Sequence, residues 1–230
     1  MIVDTNTANP ALETIFADPS AVIFLDTNIF IAPDRKIPEY KGMSFTDYRA
    51  FFLDPLFESL DNLSIHESVF DEMVADSLRA FANEKMNCSP AKLKVYYDSA
   101  LNKQEMALYT ASVGQLAIQS GYQPSVDNSK DRGEVRSLAY MHTKSFLYIS
   151  SSDNLVVRLV TQPDKYHSGL YDEEILRMYD LIYFLYRQGK YDKEGLRLMY
   201  RYLYHMTKQD AKKNPTWGEF ITRMDNLYID

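Results

Sequence analysis

The sequence predicts an α/β fold with a central, mostly parallel sheet, and three short segments are the main reason. Ala21–Leu25 is rich in β-forming residues, Asn62–Ile65 and Ser145–Ile149 are further strand candidates, and stretches with helical periodicity separate the three. Strands that alternate with helices favour a parallel sheet. The continuous apolar run of Ala21–Leu25 is typical of a strand buried on both faces.

The segment between the first two strands is predicted to be loop and then helix. Pro33 and Pro38 mark the loop. Phe45–Leu60 carries apolar residues at helical spacing, and Pro55 is expected to break or kink that helix near Asp54.

Helices are also predicted between the second and third strands. Apolar residues at helical spacing predict one directly after Ile65, and Leu93–Ile118 is expected to form one or two more. Gly121–Lys130 is polar and predicts a loop. Asp131–Thr143 is expected to be the helix before the third strand, and Asn154–Val160 a short helix or turn after it.

The predicted secondary structure changes beyond Thr161, from alternating strands and helices to a linker and helices. Pro163–Gly169 is interpreted as a linker, and Asp172–Arg187 and Lys193–Lys208 as two helices. About 60 residues are marginal for a separate core. We therefore expect residues 1–160 to form the main domain and residues 161–230 to form a C-terminal helical extension packed on it.

The amino-acid composition is typical of a globular protein. The 230 residues are 46% hydrophobic and 25% charged, without a basic leader or a long apolar run, so we expect a cytoplasmic protein with no membrane association. Cys88 is the single cysteine, which excludes an internal disulfide and a multi-cysteine zinc site, and the four histidines show no ligand spacing. A net charge of −7 argues against a protein that coats nucleic acid, but not against a nuclease with an acidic metal site.

Four acidic residues occupy positions that an α/β sheet would bring together. Asp26 directly follows the first predicted strand, and Asp153 follows the third. Glu72 lies on the helix after the second strand, and Glu134 lies near the start of the helix before the third. Ligands bind at the carboxyl ends of strands in open α/β sheets, so all four are expected at one crevice.

Each of the four also has a purely structural explanation. Asp26 could form an Asx-turn with Asn28, and Glu72 could be a solvated helix residue. Glu134 fits a capping box with Asp131. Asp153 could cap the short helix that follows it. Their conjunction in this chain order favours the functional interpretation.

The segments around these residues resemble the four motifs of PIN domains. Ile23–Phe30 contains Asp26-Thr-Asn, and Leu63–Met73 contains a strand and then a helix with a glutamate before an apolar residue. Gly133–Ala139 resembles the Gly-Glu form of the third motif, and Leu147–Asp153 the fourth. The resemblance covers about residues 21–160.

The resemblance implies a PIN-like three-layer fold and a metal-dependent nuclease that hydrolyses RNA phosphodiester bonds endonucleolytically. Clustered carboxylates repel one another, and Mg²⁺ or Mn²⁺, which prefers oxygen ligands, would relieve that repulsion. Asp26 and Asp153 are the expected direct or near-direct ligands. Glu72 and Glu134 would hold metal-coordinated waters or a second ion.

Two neighbouring residues are expected to support the acidic cluster. Asn28 and Ser151 would orient the carboxylates or the phosphate by hydrogen bonding. The sequence departs from the family pattern in two places: the third acidic position is Glu134 rather than the commoner aspartate, and Ser151 stands where threonine is frequent.

A basic segment near the C-terminus is a second candidate for contact with nucleic acid. Eight lysines and arginines lie between Arg187 and Lys213, against three acidic residues, with tyrosines interleaved. Basic and aromatic side chains can guide a single strand of RNA. Alternatively, the tyrosines pack inward and the charges are merely solvated. The candidate contact residues are Lys190, Lys193, Arg197 and Arg201.

Two other functions remain open. The chain could be a PIN-fold binding or assembly module without activity, or a nuclease directed at DNA or at a particular nucleic-acid structure, because a fold does not determine its substrate. The resemblance also leaves room for an antitoxin-like protein partner and for a homodimer.

Overall fold

The computed structural model describes residues 2–33 and 42–228, so Pro38 lies outside the described residues. The chain divides into two compact units, each built from separate stretches of sequence. The sheet unit comprises Ser20–Phe30 and Leu60–Arg177; the helical unit comprises Met1–Pro19, Ile31–Ser59 and Met178–Asp230. Within the described ranges, no helix is both long and apolar enough to cross a membrane.

A five-stranded sheet, parallel throughout, forms the centre of the sheet unit. The strands are β1 (Val22–Leu25), β2 (Asn62–His66), β3 (Leu93–Tyr96), β4 (Tyr148–Ser150) and β5 (Glu174–Leu176). Their order in the sheet is β3-β2-β1-β4-β5. The predicted α/β fold with a parallel sheet and C-terminal helices is therefore confirmed.

One face of the sheet carries a row of large apolar side chains. Phe24 pairs in register with Ile149, and Ile149 pairs with Ile175, so the three point to the same side of the pleat. All three belong to one buried cluster with residues of the helices that follow β3 and flank β4. Burial of this row holds β1, β4 and β5 in register, because a slip of one residue would turn it to the other face.

The helical unit begins with α1 (Pro10–Ala17), and a continuous helical stretch follows near residue 50. That stretch consists of α3 (Phe45–Tyr48), a π-helical turn at Arg49–Leu53 and α4 (Asp54–Ser59). The helix therefore continues through Pro55 without a break, while its hydrogen-bond pattern is distorted into a π-helical turn that ends at Leu53, next to the predicted position Asp54. A proline removes one backbone donor, and such a turn is one way in which a helix accommodates that loss.

The connecting segments of the sheet unit are mostly helical. Local caps define several helix starts: Asn102 and Glu105 form a capping box at the start of Lys103–Ala117, and the His66 ring accepts a hydrogen bond from the Ser68 N–H. The helices are α2 (Thr27–Phe30), α5 (Glu67–Glu72), α6 (Asp76–Asn87), α7 (Lys103–Ala117), α8 (Arg132–Lys144), α9 (Asn154–Thr161) and α10 (Pro163–Tyr166), with a 3₁₀ turn at Asp98–Ala100.

The C-terminal part of the helical unit is an array of four helices with an aromatic interior. Tyr200, Tyr202 and Tyr204 are all buried, as the packing alternative for the tyrosines predicts. The helix expected to reach Lys208 ends at Tyr204, and Thr207 caps the next helix. The helices are α11 (Met178–Gln188), α12 (Lys193–Tyr204), α13 (Lys208–Lys213) and α14 (Trp217–Leu227).

The two end strands of the sheet differ from the sequence prediction. The helix expected from Leu93 begins only at Lys103, because Leu93–Tyr96 pairs with β2 as β3. The helix expected from Asp172 begins at Met178, because Glu174–Leu176 pairs with β4 as β5. Among the residues that the structure describes, each of these two strands has a strand neighbour on one side only.

Truncation of Phe24 should test the apolar row. Phe24 is fully buried and contacts Tyr96, Tyr140 and Phe146. We expect Phe24→Ala to lower the free energy of unfolding by about 3–5 kcal/mol, measured by urea denaturation. The control Val74→Ala removes a side chain that is 91% exposed, and should change stability by less than about 0.5 kcal/mol. Equal effects from the two substitutions would contradict this account of the core.

Candidate metal centre

The sheet has one topological switch point, and the predicted acidic residues lie beside it. From β1 the chain builds the sheet towards β2 and β3, and later returns to add β4 and β5 on the other side. Asp26 follows β1, and Ser151 to Asp153 follow β4, so both segments emerge at the same carboxyl edge. In open α/β sheets this point is where ligands bind.

Asp26 is the buried member of the cluster, with 2% of its surface exposed. Its backbone N–H donates to the Ser150 carbonyl across the strand pair at 3.0 Å. Its side chain accepts hydrogen bonds from the Ser151 hydroxyl and the Asn28 amide. The Asn28 contact joins two side chains, so it is not the Asx-turn of the structural alternative, and the bond from Ser151, 125 positions away, ties Asp26 to the other strand.

Asn28 and Ser151 form a small network that joins β1 to the loop after β4. Asn28 donates to Ser151 Oγ at 3.1 Å and accepts from the Ser152 N–H at 3.1 Å. Ser151 Oγ also accepts from the Asp153 N–H at 3.0 Å. The two residues therefore fix the backbone that presents Asp26 and Asp153.

Asp153 also serves as a helix cap. Its Oδ1 accepts from the Leu155 N–H at 2.6 Å, at the start of α9. The capping alternative is therefore correct for this residue. One capping bond leaves acceptor capacity on the carboxylate, since its two oxygens can accept several hydrogen bonds or bind a cation.

Glu72 reaches across to two other segments. Its Oε2 accepts from the Thr27 hydroxyl at 2.9 Å, and its Oε1 accepts from the Gly133 N–H at 2.8 Å. A solvated helix residue would not make these bonds. Thr27 and Gly133 were not predicted as site residues, although both lie within the motifs that carry the family resemblance.

Glu134 is half-buried at the start of α8, beside the other three carboxylates. The capping-box alternative is wrong in its first half. Asp131 has a left-handed backbone and makes no capping bond; its side chain accepts from the Gly121 N–H at 2.6 Å instead. Glu134 is thus not explained by reciprocal capping with Asp131.

The electrostatics of the cluster reflect both burial and mutual repulsion. Burial raises the pKa of Asp26 from 3.8 to about 6, against the bond from Ser151 and together with the charges of Asp153 and Glu72. Burial likewise raises the pKa of Glu134 from 4.5 to about 8, with the charge of Asp26 as the next largest cause and those of Glu72 and Asp153 adding to it. The four predicted carboxylates therefore interact with one another.

This donor set suits a hard divalent cation. It consists of carboxylate oxygens, and two of the four pKa values are raised in the metal-free protein, so bringing in positive charge would be favourable. As the side chains stand, no three of these four described carboxylates bring oxygens within 4.8 Å of one another.

A second polar cluster lies at the ends of β2 and β3, and the sequence did not predict it. His66, Glu67 and Asp98 have ligand-type atoms within 4.8 Å of one another. However, His66 is fully buried, with Nδ1 2.7 Å from Ser68 Oγ and Nε2 2.9 Å from Asp98. Both ring nitrogens are occupied, so we interpret this network as a structural tie between two strands.

Asp98 is the hub of that tie. Its other oxygen accepts from the Tyr109 hydroxyl at 3.0 Å and from Arg136 at 3.3 Å. Burial opposes ionisation, but the bonds from His66 and Tyr109 and the charge of Arg136 hold the pKa of Asp98 below its usual value.

The predicted nucleic-acid contacts all lie in the helical unit, and all four are exposed. The ammonium groups of Lys190 and Lys193 each lie 4.9 Å from a tyrosine ring centre, Tyr191 and Tyr186 respectively. Arg197 pairs with Glu194 at 3.3 Å, and Arg201 lines a surface cavity.

Gly133 offers a direct test of the geometry at Glu72. A Cβ at this position would lie 2.6 Å from Glu72 Oε2, so a side chain there must displace the carboxylate. Because the displaced group is the end of a flexible side chain that loses its bond to the Gly133 N–H, we expect Gly133→Ala to be neutral or mildly destabilising in urea denaturation, without the stabilisation that alanine normally gives in a helix. The matched control is Gly114→Ala on α7, where nothing lies within 4 Å. That change should stabilise by about 0.5–1 kcal/mol through helix propensity, and a stabilising effect at both positions would contradict the close approach.

The raised pKa values predict how the stability of the metal-free protein depends on pH. Asp26 and Glu134 hold their protons more tightly folded than unfolded, so their contribution is fully present below about pH 4 and is lost as the pH rises through about 6 and 8. The free energy of unfolding of wild type should fall between pH 5 and pH 8. We expect this fall to be smaller in Asp26→Asn by on the order of 1–1.5 kcal/mol, measured by urea denaturation in EDTA. The same pH dependence in wild type and in Asp26→Asn/Glu134→Gln would refute the assignment.

Comparison of the chain with models of protein families, with curated proteins and with solved structures finds no match in any of the three.

Proposed function

We propose that this protein is a metal-dependent endoribonuclease with a PIN-like fold, and that Asp26, Glu72, Glu134 and Asp153 form its catalytic metal site. The observation that carries the proposal is the meeting of these four carboxylates beside the switch point of a parallel sheet. They come from four separate segments, and Asp26 and Glu134 have pKa values raised in part by the charge of other members. Perturbed carboxylates in such a crevice are typical of functional sites.

Mg²⁺ or Mn²⁺ would be held by Asp26 and Asp153, with Glu72 and Glu134 positioned to hold its waters or a second ion. When bound, the cation supplies charge neutralisation at the scissile phosphate and makes water more acidic. The oxygen-only donor set of the four carboxylates supports this assignment.

The side chains around the cluster would keep these carboxylates in place during the reaction. Ser151 and Asn28 hold Asp26 by hydrogen bonds, so its oxygens keep a defined direction. Thr27 and the Gly133 N–H hold both oxygens of Glu72 in the same way. Preorganisation of this kind avoids reorganisation when the substrate arrives.

Glu134 is the residue best suited to exchange a proton. Burial and the charges of the other three carboxylates raise the pKa of Glu134 to about 8 without a cation, so Glu134 holds its proton more tightly than Asp26 does until a cation binds. In the hydrolysis a water oxygen bonds to phosphorus, the ester bond to the leaving oxygen breaks, and that oxygen gains a proton. Glu134 would take part in this proton transfer.

The choice of RNA rests on the resemblance to PIN domains. The compartment is proposed on a different ground, the cysteine content. The single cysteine, Cys88, is exposed and free, which suits a reducing compartment such as the cytoplasm.

The test is a cleavage assay with matched carboxylate variants on one helix. A mixture of single-stranded and structured RNA is incubated with wild type, Glu72→Gln and Asp71→Asn, in Mn²⁺, in Mg²⁺ and in EDTA. Asp71 neighbours Glu72 but is exposed and makes none of its contacts. We expect metal-dependent cleavage by wild type and Asp71→Asn, and a rate at least about 100-fold lower for Glu72→Gln.

The other outcomes separate the alternatives. Preferred cleavage of DNA run in parallel would favour a DNA-directed nuclease. Metal binding without cleavage of any substrate would favour a binding module. Equal rates for the two variants, or no metal binding by wild type measured calorimetrically, would rule out the proposed site.

A further inference from the structure

The helical unit carries a surface cavity whose lining combines positive charge with aromatic rings. It has a volume of about 290 Å³ and lies between α12 and the start of α14. Its lining residues are Arg197, Tyr200, Arg201, His205, Thr216 and Trp217. The sequence predicted nucleic-acid contacts at Arg197 and Arg201 but not at His205 or Trp217.

Basic residues recur at every fourth position of α12 and its C-terminal cap, and the first three, Lys193, Arg197 and Arg201, carry a full positive charge. Lys193, Arg197, Arg201 and His205 follow one face from the first residue of the helix to the residue that ends it. At about 1.5 Å per residue this line extends over about 18 Å. Both arginines are exposed, and the bond of Arg197 to Glu194 is an exposed pair that solvent screens.

Trp217 supplies an aromatic surface beside this line of charge. Its ring is only half-buried, and its buried side contacts Tyr186, Tyr200 and Phe220 at centroid distances of 5.6, 5.4 and 5.8 Å. Lys193 lies over the Tyr186 ring, which places its charge near the same cluster. The tryptophan is therefore held in place while part of its ring remains accessible.

The wall of the cavity is fixed by hydrogen bonds between two segments. The Tyr200 hydroxyl donates to the Pro215 carbonyl at 2.7 Å, and His205 Nε2 lies 2.6 Å from the same oxygen. Thr216 then caps α14 in a capping box with Glu219. These bonds hold the start of α14, and with it Trp217, against α12 without using the arginine side chains.

We infer that this cavity binds one nucleotide of a single-stranded RNA, with the unpaired base against Trp217 and the flanking phosphates along Arg197 and Arg201. Arginines position phosphates, and an aromatic ring stacks a base whatever its identity. Stacking needs a base that is free of its pair, which favours a single strand over a duplex. The choice of RNA rests on the proposed function, whereas the pairing of phosphate and base chemistry does not.

The chain provides its own local probe for this binding. Trp217 is the only tryptophan in the sequence, so intrinsic tryptophan fluorescence reports on the cavity alone. The full-length protein is titrated with a ten-nucleotide oligouridylate in EDTA at several salt concentrations. EDTA removes the metal-dependent reaction, so this test and the cleavage assay can fail separately. We expect saturable quenching, with an affinity that falls as salt rises.

Matched double variants test the role of the arginines. Arg197→Ala/Arg201→Ala and Lys212→Ala/Lys213→Ala each remove two exposed positive charges, but only the first pair lines the cavity. We expect the arginine pair to weaken binding about tenfold and to reduce the slope of log affinity against log salt by about 1.4, that is about 0.7 for each phosphate that is no longer neutralised. The lysine pair should leave quenching and affinity close to wild type. Equal effects in the two variants, or no quenching of wild type, would overturn the inference.

A further arm separates nucleotide binding from general attraction to anions. Inorganic polyphosphate carries the charge of a strand but no bases, and it should neither quench Trp217 to the same extent nor bind as tightly. A duplex of the same length should also bind more weakly than the single strand. Polyphosphate that matches the oligouridylate in both quenching and affinity would identify a generic anion site and refute the base-stacking role of Trp217.

Discussion

Repulsion among four carboxylates is the constraint around which the carboxyl edge of the sheet is organised. Asp26 is almost fully buried and Glu134 is partly so, and each feels the charge of other members. Placing several such groups together without a counter-charge is unfavourable. The fold tolerates the arrangement because hydroxyl, amide and backbone donors engage Asp26, Glu72 and Asp153, and because two of the four carboxyls can retain a proton.

The same constraint explains why the cluster depends on the whole sheet unit rather than on one motif. The donors to Asp26 come from α2 and from the loop after β4, and the donors to Glu72 come from α2 and α8. Gly133 has a particular part in this, because only a residue without a side chain allows α8 to approach the Glu72 carboxylate so closely. A change in the angle of any one of these elements would alter several carboxylates together.

The sequence predicted the central strands of the sheet and missed the two strands at its edges. β1, β2 and β4 lie inside the sheet and correspond to the three predicted strands within a few residues. β3 and β5 are the end strands, and each includes a charged residue, Lys94 or Glu174. Such segments lack the continuous apolar character of a central strand, so their pairing is decided by tertiary contacts that local pattern does not report.

Likewise, the sequence predicted some residues of the site and missed others. The positions of the four acidic residues, Asn28 and Ser151 relative to the strands were sufficient to place them together. Thr27 and Gly133 were not recognised, because a hydroxyl and a backbone N–H carry no charge pattern in a sequence. The His66–Asp98 tie was missed because its members are 32 positions apart and depend on the unpredicted strand β3.

The interleaving of the two units has a consequence for how the chain is synthesised and dissected. Leu25 pairs with Ser150, so β1 leaves the ribosome long before its neighbour on one side exists. A nascent or proteolysed chain that ends before residue 150 has an open strand edge at the centre of its sheet, and it lacks Ser151 and Asp153 altogether. Because each unit is assembled from separate stretches, no single cut releases either one intact.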